Sequence, residues 1–81
     1  MHQNAKQRQA ILETLYTERQ THAGKAKSGW VSEYDLKNGH GDVAFAMDVL
    51  VEIGQVKRDG PRYLITGGGV LACEAGQVQP A

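Results

Sequence analysis

Three features of this 81-residue chain predict an α+β domain. Two runs, Ile11-Leu12-Leu15-Tyr16 and Val43-Ala46-Met47-Leu50-Val51-Ile53, repeat apolar residues at helical spacing. The segment QVKRD-GP-RYLIT then reads as two extended pieces folded about a tight turn. Polar, glycine-bearing connections separate these segments. Together they predict a three-helix core, a short two- or three-stranded antiparallel sheet and a weak C-terminal helix.

The first helix is expected from about Ala5 to Gln20, with Asn4 as N-cap and Glu13 and Thr17 facing water. Thr21 to Gly29 has no apolar period and reads as a surface connection carrying Lys25 and Lys27. Trp30-Val31 is a short extended piece that needs a strand to pair with. Ser32 caps a brief second helix, Glu33 to about Lys37, whose Glu33 and Asp35 suit the positive end of the helix dipole. Asn38-Gly39-His40-Gly41 is read as a turn, and Asp42 as the cap of a third helix over Val43–Ile53. Helix, tight turn, helix is the arrangement of a helix-turn-helix unit.

On a wheel at 100° per residue, the third helix puts Val43, Ala46, Met47, Leu50, Val51 and Ile53 on its apolar side. Ala44, Phe45, Asp48 and Glu52 lie opposite, with Val49 at the margin. Gly54 supplies the left-handed residue that stops the helix. Gly60 tolerates positive φ in the hairpin turn, while Pro61 delays the second strand until Arg62. Thr66 is expected to cap a last helix over Val70, Leu71 and Glu74, weakened by Gly67-Gly68-Gly69. The organisation is one domain over residues 1–76, with a flexible tail over 77–81.

Nine Lys and Arg balance nine Asp and Glu, so the formal charge is zero. Any nucleic-acid contact must therefore come from charge placement and not from a basic average. A single cysteine, Cys73, excludes an internal disulfide and, near a frayed end, has no neighbouring base to activate it. With no apolar run of bilayer length and no secretory leader, the expectation is a soluble cytoplasmic protein. His2, His22, His40 and Cys73 show no metal-ligand spacing. The glycine triplet lacks the Gly-Lys-Ser/Thr of a phosphate loop. No nucleophile–base pair appears, so neither enzyme chemistry nor a cofactor is expected.

Three motifs carry a family resemblance. Leu50-Val51-Glu52-Ile53-Gly54-Gln55-Val56 matches an L-x-x-x-G-x-V helix ending. Lys57-Arg58-Asp59-Gly60-Pro61-Arg62-Tyr63 looks like a basic wing tip, and Tyr63-Leu64-Ile65-Thr66-Gly67-Gly68-Gly69 like a Y-x-I/L-T-x-x-G exit. In these motifs and in its order of elements, from about Ala5 to Ala75, the chain resembles the winged helix-turn-helix superfamily. The resemblance implies a small prokaryotic, phage or plasmid transcriptional regulator that binds double-stranded DNA, with its third helix in the major groove and its wing against the backbone or minor groove.

Carried onto this sequence, the groove-facing positions are Ala44, Phe45, Asp48 and Glu52. Here the chain departs from the pattern, because these positions hold no Lys, Arg, Asn or Gln to read guanine or adenine. Phosphate contacts fall instead to Lys57, Arg58 and Arg62, with Lys37, His40, Lys25 and Lys27 extending the patch. The plainer reading is a hairpin edge kept charged against strand-on-strand aggregation, beside ordinary surface lysines. Trp30 reads as a core or sheet-covering residue rather than a base-stacking one. The alternative function is a protein-interaction or dimerisation module, with Phe45, Val49, Asp48 and Glu52 as its contact surface and no nucleic acid bound. If the wheel is rotated, Phe45 belongs to the core instead.

Overall fold

The computed structural model describes residues 2–24 and 29–77. Elements follow in the order α1 (His2–Thr21), β1 (Val31–Ser32), α2 (Glu33–His40), α3 (Ala44–Glu52), β2 (Val56–Asp59), β3 (Arg62–Ile65) and α4 (Gly67–Gln77). Among the described residues the class is α+β, with four helices and a three-stranded antiparallel sheet of order β1-β3-β2. Lys25, Lys27 and residues 78–81 of the expected tail lie outside the described residues, and Gln77 is the last residue of α4. Among the described residues no helix is long and apolar enough to cross a membrane.

Helix α1 runs from His2 to Thr21, starting before the expected Ala5 and ending just past the expected Gln20. Asn4 lies inside it and does not cap it. Lys6, Gln7, Arg8 and Ala10 are strong helix formers, so nothing in this stretch stops the backbone. Gln7 also has a tertiary partner: its amide nitrogen donates to the Asp42 carbonyl at 2.8 Å and the His40 carbonyl at 3.3 Å. The stripe itself is as expected, with Ile11, Leu12 and Leu15 buried.

Helix α2 begins where Ser32 caps it, the Ser32 hydroxyl accepting from the Asp35 amide at 3.1 Å. It does not end at Lys37. The helix continues through Asn38 and Gly39 to His40, and the reversal comes at Gly41, whose φ is 78°. Asp42 Oδ1 accepts from the Ala44 amide at 3.1 Å, holding the start of α3, whose N-cap is Val43. Val43, Ala46, Met47 and Leu50 are buried against α1, and Val51 packs at the edge of the same cluster. Ile53, expected on this apolar side, is 56% exposed. The helix stops at Glu52 and the chain turns through Ile53 into Gly54, so Ile53 no longer follows the wheel.

The hairpin pairs Val56 with Ile65, Lys57 with Leu64, Arg58 with Tyr63 and Asp59 with Arg62. Gly60 at φ 60° and Pro61 close the two-residue loop. Positive φ followed by proline's fixed negative φ matches the type II′ geometry that suits twisted strands. β1 completes the sheet by pairing Val31 with Tyr63 and Ser32 with Arg62. A free hairpin is marginal in water, and this third strand, with the core beneath, supplies what it lacks.

Thr66 caps α4, its hydroxyl oxygen accepting from the Gly69 amide at 3.1 Å while donating to the Gly54 carbonyl at 2.6 Å. Helix α4 then lies on α1, where the Tyr16 hydroxyl donates to Glu74 Oε2 at 2.8 Å. Cys73, expected near a frayed end, is fully buried in the core between these helices. Burial first, then the carboxylates of Glu13 and Glu74, pushes its thiol above the usual range, which keeps it protonated.

Candidate functional site

The strand register sorts the hairpin side chains onto two faces, because neighbours along a strand point in opposite directions. Val56, Tyr63 and Ile65 face the core, so Arg58, paired with Tyr63, shares that side. Its guanidinium lies over the Tyr63 ring, 5.6 Å from the centroid, and its Nε donates to the Gly60 carbonyl at 2.9 Å. Lys57 and Arg62 occupy the outer face as diagonal neighbours. Arg62 donates to Asp59 Oδ2 at 2.9 Å and stacks over Trp30 at 5.1 Å from the ring centroid. Trp30 thus covers the sheet edge, half-buried, with a cation on its ring.

The described cations of the predicted patch are distributed over three elements, α2, β2 and β3. Lys37 pairs with Glu33 at 3.6 Å on α2. His40 is not a turn residue: it ends α2, and its Nε2 lies 3.0 Å from Thr14 Oγ1 on α1. Of the expected patch, Lys57 and Arg62 remain together on the outer face of the sheet and Arg58 stands on the inner one.

Phe45 is 62% exposed and not in the core, as the unrotated wheel predicts. Ala44, Asp48 and Glu52 are exposed beside it, and Val49 is half-buried. Between this side of α3 and the hairpin runs a groove of about 450 Å³, lined by Glu33, Phe45, Met47, Asp48, Arg58 and Tyr63 among others. Among the described residues Asp48 makes no ion pair, and Arg58, on the hairpin side of the groove, bonds only through Nε and not through its terminal nitrogens. Tyr63 forms part of the floor. Its hydroxyl donates to Glu33 Oε1 at 3.3 Å, and burial is the main reason its pKa is raised.

Sequence reading treats Glu33 only as a helix-dipole residue and Arg58 only as a wing cation. Counting in twos from buried Val56 would have put Arg58 on the core side. Nothing in the sequence brings Glu33, two helices' worth of chain away, to the same groove.

Comparison with known proteins returns no match to a family model, a curated protein or a solved structure.

Proposed function

We propose that this chain is a small winged-helix DNA-binding protein, a regulator of prokaryotic, phage or plasmid type, that holds the duplex backbone through its hairpin. The order helix, strand, helix, turn, helix, hairpin supports the winged-helix reading, as does the pairing of the short first strand with β3. The observation that carries DNA binding is the outer face of the hairpin, where Lys57 and Arg62 stand exposed as diagonal neighbours. The Arg62–Asp59 pair is itself exposed, and such pairs contribute about 0–1 kcal/mol, so a phosphate competes readily with Asp59. The exposed face of α3 offers Asp48 and Glu52 to the duplex and no base-reading cation, so the contact is a backbone contact with little sequence discrimination.

Anisotropy titrations of a labelled duplex across a salt series test this. Lys57→Ala with Arg62→Ala should weaken binding to any duplex and lower the slope of log K against log salt by about two, one per phosphate contact. Equal affinity and equal slope for wild type and double variant would remove the hairpin from the mechanism.

A second reading, a protein-interaction or dimerisation module acting through α3, is favoured by the 62% exposure of Phe45 among carboxylates. An aromatic ring held in water at the centre of a polar rim is the anatomy of a protein interface.

A further inference from the structure

We infer that the groove between α3 and the hairpin is a self-docking surface on which a second copy of this chain seats across a two-fold axis. Each copy's Arg58 reaches the other's Asp48, and the two Phe45 rings meet near the axis. The inference rests on the second reading above, commits it to one partner, and leaves DNA binding through the outer hairpin face intact.

Charge carries the argument. The α3 wall of the groove presents Asp48 and the hairpin wall Arg58, and neither forms an ion pair with the other or with another described residue, whereas Glu33 in the same lining is paired with Lys37. A nucleic acid has one sign of charge and would bring phosphates against Asp48 and Glu52. A uniformly basic segment would satisfy the carboxylates and be repelled by Arg58. The partner that answers both walls must carry both signs at the same spacing, and the groove itself has that layout. A two-fold axis turns every contact between residue i and residue j into a pair of contacts, so one geometry satisfies both charges twice.

The apolar centre fits the same arrangement. Phe45 stands 62% exposed on the rim of a groove whose lining includes Met47 and Val51, and a second Phe45 is the complement that a two-fold supplies. A stable interface needs about 800 Å² from each copy, roughly a seventh of the 5398 Å² surface. Zero net charge means that copies approach without long-range repulsion. Lys57 and Arg62, on the opposite face of the sheet, stay outside the contact.

Sedimentation velocity over a concentration series tests the proposal, with circular dichroism confirming that each variant is folded. Wild type should shift from monomer to dimer as concentration rises. Phe45→Ala, Asp48→Arg and Arg58→Asp should each weaken the dimer at least about tenfold, since the charge reversals set like charges opposite one another twice. Mixing D48R with R58D should restore a dimer, because both cross-contacts then join arginine to aspartate. Lys57→Glu should leave the dimer unchanged while weakening DNA binding. A wild type that stays monomeric throughout, or a mixture of D48R and R58D that fails to recover the dimer, overturns the inference, and neither result bears on the hairpin's affinity for DNA.

Discussion

A methyl group placed on Gly69 would lie 2.7 Å from Ile65 Cγ1 and would overlap the Gln55 carbonyl oxygen. That carbonyl accepts from the Thr66 amide at 3.0 Å, so it cannot move without opening the junction between β3 and α4. Gly69→Ala should therefore cost about 1–3 kcal/mol, the range for forcing a methylene into a packed site. Gly67→Ala, with nothing within 4 Å of its would-be Cβ, should change stability little or raise it by about 0.5–1 kcal/mol through helix propensity. Urea midpoints of the two variants check the contrast, and a Gly69→Ala protein as stable as wild type would contradict it. The three glycines look alike in the sequence, where they read only as a weakness in the last helix. Their difference comes from the approach of the Gln55 backbone, a contact between segments that no local pattern encodes. Cys73 is buried against expectation for a related reason. It follows Val70 at i+3, the spacing of a buried stripe, but the glycine run before it argues for a helix too frail to bury anything.

The hairpin and the Ser32 and Thr66 caps were the most legible elements, because their chemistry is local, whereas Asn4 does not cap α1. Asp59-Gly60-Pro61-Arg62 specifies its own turn, and Ser32, Asp42 and Thr66 each bond an amide two or three residues ahead. Helix α2 shows where locality fails. Asn38-Gly39 is turn chemistry by composition, yet α1 holds the final turn of α2 through Thr14 on His40 and Gln7 on the His40 carbonyl. The chain reverses only at the second glycine, Gly41. The candidate site divides the same way: the exposed face of α3 follows from helical period, whereas the splitting of Arg58 from Lys57 and Arg62 follows from strand register. Thr66, directly after β3, ties two further places together, since its one hydroxyl caps α4 and also donates to the Gly54 carbonyl between α3 and β2. Thr66→Val keeps the shape and removes both bonds. It should cost about 0.5–2 kcal/mol, the usual effect of losing an N-cap, and should speed hydrogen exchange at the Gly69 amide. Unchanged exchange at Gly69 would show that the cap does not hold this end of α4.

Across the molecule, two tyrosines join parts that the hydrophobic core alone leaves separable at the surface. Tyr16 ties α1 to α4 through Glu74, and Tyr63 ties the sheet to α2 through Glu33. Both phenols donate to a carboxylate, so ionising either one breaks a hydrogen bond and sets two negative charges together. For Tyr16 the hydrogen bond to Glu74 is the main cause of its raised pKa, and for Tyr63 it is burial. Each folded-state value therefore lies above the 10.0 of a free tyrosine. Between 10.0 and those folded values the unfolded chain has lost protons that the folded chain retains. Stability then falls as pH rises, because its slope follows the protons bound by the unfolded state minus those bound by the native one. The contribution is fully present below pH 10.0 and disappears as pH passes through the folded pKa values. Urea midpoints measured from neutral pH into the alkaline range should decline beyond about pH 10. Tyr16→Phe, which keeps the ring but has no proton to lose, should be less stable than wild type at neutral pH and should decline less steeply. If the two proteins lose stability in parallel above pH 10, the Tyr16–Glu74 bond does not couple α1 to α4.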